Sequence, residues 1–176
     1  MALTFTLEPV DPARDAAMLH AWVTAERGRF WMMADHTVEE VREVYQWIAD
    51  QPTHAAYLVR ADGRVVALFQ TYDPRAEEIG DHYEYEAGDI GVHLMMAPAD
   101  PPVHGLTAHV MDWLEACVFA DPAVRRIVAE PDAANDKIQR VIDARGVERE
   151  RLIRLDRKTA TLLFVTREDF ERIRRR

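Results

Sequence analysis

The chain has 176 residues, with 22 Lys and Arg against 31 Asp and Glu, a formal charge of −9, 48% hydrophobic and 30% charged residues. This is the size and mix of one folded domain over residues 1–176, not of a disordered or fibrous chain, and so negative a surface repels a phosphate backbone and argues against nucleic acid as a partner. Neither a run of about 18 apolar residues nor a charged start followed by an apolar stretch is present, and the one cysteine, Cys117, sits among Trp113, Leu114, Ala116 and Val118; a buried inert thiol, a reducing cytoplasm and no membrane span are expected.

Phe5, Leu7 and Val10 mark a short extended start, and Asp11-Pro12 turns the chain into a helix carrying Ala16, Leu19, Trp22 and Val23. Thr37 with Glu40 three residues on forms a capping box, and Val38, Val41, Val44, Tyr45 and Ile48 follow at helical spacing until Pro52. From His54 to Tyr72 the period changes, and Asp62-Gly63 between two β-favouring runs predicts a hairpin. An acidic segment with Glu77, Glu78, Asp81, Glu84 and Glu86 reads as a mobile loop, followed by a strand from Asp89 to Met96 that Pro98 and the Pro101-Pro102 pair close. Gly105 to Phe119 reads as a helix, Arg125 to Glu130 as a buried strand after the Asp121-Pro122 turn, and Asn135 to Ala144 as a helix ending at Gly146. Arg149 to Leu155 and Thr159 to Val165 resemble two antiparallel strands, and Arg172 with Arg174 to Arg176 reads as a solvated tail after a helical stretch. The sum is an α+β fold with a mixed central sheet and helices on both sides.

Two segments carry chemistry. The strand Asp89-Ile90-Gly91-Val92-His93-Leu94-Met95-Met96 runs into a proline-rich loop with Gly105 at the mouth of a helix, where free N–H groups and a positive helix end suit an anion such as a pyrophosphate. Val128-Ala129-Glu130-Pro131-Asp132 leaves its core run before Asn135 opens the next helix, so two strand ends present polar groups. Each feature also has a plainer reading: His93 as a packed histidine on an apolar strand, Asp132 and Asn135 as a turn and a helix cap, and Phe30-Trp31-Met32-Met33 as core instead of cleft lining.

Together these residues resemble the GNAT acyltransferases, and within them the branch that acylates hydroxylamines in hydroxamate siderophore assembly. The resemblance covers His20-Ala21-Trp22-Val23, Phe30-Trp31-Met32-Met33, the run from Pro52 to Pro74, Gly88-Asp89-Ile90-Gly91-Val92-His93-Leu94, His104-Gly105-Leu106-Thr107 and Glu130-Pro131-Asp132 with Asn135. It implies the GNAT fold, acyl-CoA (acetyl-CoA or succinyl-CoA) as co-substrate, and His93 and Asp132 as the catalytic pair facing the reacting amine. It further implies that Leu94, Met95 and Met96 meet the pantetheine arm, that His104, Gly105, Leu106 and Thr107 meet the pyrophosphate, and that Asn135 lies beside the cofactor arm. Trp31, Gln70 and Tyr72 fall in the segments expected to bind substrate. The chain departs from the general Q/R-x-x-G-x-G/A loop, since Pro102-Val103-His104-Gly105-Leu106-Thr107 keeps only Gly105.

An attacking nitrogen needs a lone pair and must shed a proton once the new bond forms. Histidine suits that task by its near-neutral reference pKa, and a carboxylate can take the proton or orient the imidazole. The expected acceptor is a small hydroxylated amine derived from lysine or cadaverine, without a metal, since the histidines show no zinc spacing. Two rivals stand beside this reading: an aminoglycoside 6′-N-acetyltransferase-like enzyme, which the acidic segment would suit, and a CoA-binding module without activity.

Overall fold

In the computed structural model, residues 3–99, 101 and 103–175 are described. Pro102 of the expected strand closure and Arg176 of the expected basic tail lie outside them. Strands β1 (Phe5–Pro9), β2 (His54–Ala61), β3 (Arg64–Tyr72), β4 (Asp89–Met96), β5 (Arg126–Ala129), β6 (Arg149–Arg154) and β7 (Thr159–Thr166) alternate with helices α1 (Pro12–Val23), α2 (Val38–Asp50), α3 (Leu106–Val118), α4 (Asp136–Arg145) and α5 (Arg167–Arg174). The sheet is mixed and seven-stranded, in the order β1-β2-β3-β4-β5-β7-β6. No helix among the described residues is long and apolar enough to cross a membrane.

The chain divides into two compact units interleaved in sequence. The first runs to Thr71 and takes in His93–Val103; the second holds Tyr72–Val92 and everything from His104 onward. In the first unit, Asp11 caps α1 by accepting from the Ala13 and Arg14 amides, and Thr37 and Glu40 close the expected capping box on α2. Asp62 and Gly63 both have positive φ, 47° and 80°, as the tight hairpin turn between β2 and β3 requires. The apolar faces of α1 and α2 meet β2 and β3 in one core of Leu19, Trp22, Val23, Met33, Val41, Tyr45, Ile48, Leu58 and Leu68. Val38, although it fits the helical spacing, sits at the start of α2 and is 43% exposed.

The second unit has β4 and β5 parallel from Asp89/Arg126 to Gly91/Val128, and β7 antiparallel to both β5 and β6. One core, with Tyr72, Val128, Ala160 and Leu162, and another, with Phe119, Ile127, Ile142 and Phe170, form around these strands. The acidic segment is not the loose loop its charge suggests. It winds into short 3-10 helices, Pro74–Ala76 and Glu78–His82, with Ile79 buried, Glu86 paired with Arg126 at 2.9 Å and Glu78 accepting from the Asp156 amide at 2.8 Å. The carboxylates are used as tethers, which a count of charges cannot reveal.

Two further expectations change. Cys117 is half-buried instead of buried, although burial still pushes its thiol pKa up. The basic tail is α5, capped by Thr166, with Arg172 bonded to Asp169 and to the Gly146 carbonyl and Arg174 lying over the Phe170 ring.

Candidate active site

Three of the expected site residues converge in the first unit. His93 stands half-buried on β4, and its Nδ1 lies 3.3 Å from Gln70 Oε1 on β3. In a neutral imidazole, a carbonyl oxygen beside Nδ1 selects the tautomer with the proton there and the lone pair on Nε2. Trp31 meets the imidazole edge-on, with ring centroids 6.0 Å apart. A short 3-10 helix, Glu26–Trp31, brings that indole there, and two backbone features shape it. Gly28 approaches α1 so closely that a Cβ would lie 2.3 Å from the Trp22 carbonyl oxygen, and Met32 ends the helix in the left-handed region at φ 57°. Arg27, on the same helix, donates to the Met96 carbonyl at 3.1 Å. Phe30-Trp31-Met32-Met33 therefore divides: Met33 enters the core, while Phe30, Trp31 and Met32 stay half-exposed.

The remaining residues belong to the second unit, apart from Leu94, Met95 and Met96, which continue β4 in the first and are half-buried. Gly105 precedes α3 at φ 76°, no side chain among the described residues caps the first-turn amides of the helix, and His104 is exposed. A run of amides of this kind fits a phosphate. Asp132 lies just past β5, where its Oδ1 accepts from the Ala134 amide at 2.8 Å and its backbone pairs with Ala160. Asn135 caps α4, with Oδ1 taking the Ile138 amide at 3.4 Å. The turn-and-cap reading of Asp132 and Asn135 thus describes the bonds that these side chains make.

Tyr72 departs from the expected substrate contact. It is 4% exposed, its ring packs against Gly91, and its hydroxyl donates to Glu130 Oε2 at 2.8 Å. Burial above all, then the Glu130 charge, drives its phenol pKa well up, so the hydroxyl stays a donor. Glu130 is the residue that sequence reasoning passed over. It is 6% exposed and 3.4 Å from Lys158 Nζ, and a carboxylate ending an otherwise apolar strand run was the available signal. Among the described residues, no group of three or more His, Cys, Asp or Glu side chains is arranged to hold a metal ion.

The profile of the acetyltransferase (GNAT) domain family matches residues 11–155, and it spans both segments singled out for their chemistry. The chain belongs to the GNAT acetyltransferases. This GNAT protein is an acyl-CoA N-acyltransferase, with acyl-CoA as co-substrate. It is 23% identical over 168 residues to the N-hydroxyputrescine acetyltransferase of Acinetobacter baumannii, covering 95% of this chain and 80% of that one. It is 26% identical to the aminoglycoside N(6′)-acetyltransferase type 1 of Serratia marcescens, over 92% of this chain and 83% of the other. Among solved structures, an aminoglycoside acetyltransferase in complex with coenzyme A superposes with a TM-score of 0.83 at 25% identity, covering 97% of this chain and 99% of that one.

Proposed function

We propose that the GNAT enzyme transfers an acyl group, acetyl or succinyl, from CoA to the N-hydroxylated terminal amine of a lysine- or cadaverine-derived molecule, as one catalytic domain in the cytoplasm. The observation that carries this reading is the Gln70–His93 hydrogen bond, which leaves the lone pair on Nε2. In the proposed reaction the acceptor nitrogen attacks the thioester carbonyl, the C–N bond forms, and the C–S bond breaks with CoA leaving as thiolate. His93 Nε2 takes the proton from the nitrogen and passes it to the thiolate, while Asp132 helps to place the acceptor. An N-hydroxylated amine is far less basic than an alkylamine and is already neutral near pH 7, so a single imidazole suffices as proton acceptor.

The donor side rests on the first turn of α3, suited to the pyrophosphate, and on the end of β4, where the backbone of Leu94, Met95 and Met96 suits the pantetheine arm. An aminoglycoside acceptor is the second reading, favoured by the similarity to the Serratia marcescens enzyme. The acidic segment supports it less than its composition suggests, since Glu78 and Glu86 already hold protein partners.

The test is a thiol-release assay crossing acetyl-, succinyl- and longer acyl-CoA with hydroxycadaverine, hydroxylysine, hydroxyornithine, lysine and an aminoglycoside. Turnover on the hydroxylated amines is expected, and turnover confined to the aminoglycoside overturns the assignment. His93→Ala and Asp132→Asn should each slow the chemical step by roughly 10²-fold or more. Unchanged rates in both remove them from the mechanism.

A further inference from the structure

The second unit contains a buried charged network that the reaction as written does not use. Glu130 is enclosed by Tyr72 from β3 and Lys158 from the β6–β7 turn, with the Lys158 side chain only 11% exposed and the turn closed by the Leu155 amide on the Lys158 carbonyl. Burying a carboxylate and an ammonium is costly, and an apolar pair would fill the same space at least as well, so stability alone is a weak reason for the network.

Its position along the chain is the stronger clue. The β5–β7 register, Ala129 opposite Leu163, continues without a slip to Asp132 opposite Ala160, with the Thr161 amide on the Pro131 carbonyl and the Ala133 amide on the Thr159 carbonyl. In an extended chain residues two apart share a face, so Glu130 and Asp132 project to the same side, about 6–7 Å apart by strand rise. The Tyr72 ring is wedged against Gly91, where a Cβ would come within 2.1 Å of it, and this packing fixes the direction of its hydroxyl toward Glu130.

We propose that Glu130, held between the Tyr72 hydroxyl and the Lys158 ammonium, is a positioning residue that sets the place of the Asp132 carboxylate. The inference rests on the reading of Asp132 as part of the reaction. Tied on both sides, Glu130 anchors the chain two residues before Asp132. Tyr72 in turn faces Glu77 and Tyr83, and the groups bonded to the Asp132–Thr161 region, Gln139 and the Thr161 hydroxyl, are neutral.

The experiment measures kcat and the acceptor KM separately, with acyl-CoA and a hydroxylated amine, for the unaltered enzyme, Glu130→Gln, Lys158→Met and Tyr72→Phe, together with CoA affinity by calorimetry and the melting temperature. Glu130→Gln and Lys158→Met should each lower kcat about tenfold with CoA affinity unchanged. Tyr72→Phe should lower kcat about tenfold with CoA affinity unchanged, and as the mildest change it decides the matter if Lys158→Met does not fold. Folded Glu130→Gln and Lys158→Met proteins that turn over normally overturn the proposal, as does a Tyr72→Phe protein that melts lower yet turns over normally. If Asp132→Asn itself turns over at the normal rate, the role of Asp132 falls and takes the inference with it. If Asp132→Asn is slow while Glu130→Gln, Lys158→Met and Tyr72→Phe turn over normally, only the inference fails.

Discussion

At the scale of single residues, His93 is defined by its neighbours more than by its own identity. A histidine on an apolar strand packs as readily as it reacts, and Gln70 on β3 makes the difference by accepting from Nδ1. Gln70→Ala should lower kcat about tenfold while CoA affinity, read by calorimetry, stays the same. Gln70→Glu keeps an acceptor at the same place and should retain more of kcat than Gln70→Ala. Gly91 tests the packing of the Tyr72 ring. A methyl group there would meet the buried Tyr72 ring at 2.1 Å, a ring that cannot swing into solvent, so Gly91→Ala should destabilise by about 1–3 kcal/mol in denaturant titration. Gln70 and Trp31 were named from the sequence, but the hydrogen bond of one and the ring contact of the other with His93 were not legible there. Both depend on partners 23 and 62 positions away.

Among the elements, the helix ends were the most readable parts of the chain. Asp11, Thr37, Asn135 and Gly146 each stand where the caps of α1, α2 and α4 are found, because a cap is a bond to an amide or carbonyl only a few residues off. The pairing of α3 with α4 was hidden. Glu115 on α3 is buried and accepts from Arg145 Nη2 at 2.6 Å, while Arg145 Nη1 reaches Asp112 at 2.5 Å. Burial outweighs Arg145 and lifts the Glu115 pKa to about 7 from an ordinary 4.5. A carboxyl raised in this way is protonated in the folded chain and ionised in the unfolded one between those values. Its contribution to stability is therefore complete below about pH 4.5 and is lost as pH rises through about 7. Stability followed by thermal melting should show this fall, and Glu115→Gln, which cannot ionise, should flatten that part of the profile.

For the whole molecule, the interleaving of the two units has consequences for truncation. The first unit needs His93–Val103, from which Met95 and Ala97 pack on its core and the Ala97 amide donates to the Val66 carbonyl at 2.8 Å. A chain ending at Thr71 should therefore lack cooperative unfolding by circular dichroism, despite carrying α1, α2 and the β2–β3 hairpin complete. Net charge acts at this scale too. The sequence alone shows the −9, but not that Glu8, Glu78, Glu86 and Asp89 are held by Arg14, Arg60, Arg126 and the Asp156 amide as tethers.

The sequence by itself determined the strands, helices and caps of this protein, because periodicity and capping depend on interactions within a turn or two of the chain. It also determined the fold class and, through motifs ordered along most of its length, the acyltransferase family. Only the tertiary structure decided that Tyr72 is a core residue bonded to Glu130, that Glu130 is buried beside Lys158, and that Trp31 and Gln70 flank His93. Those outcomes depend on which distant side chains share a few cubic ångströms, and burial there, not local spacing, sets what each polar group can do.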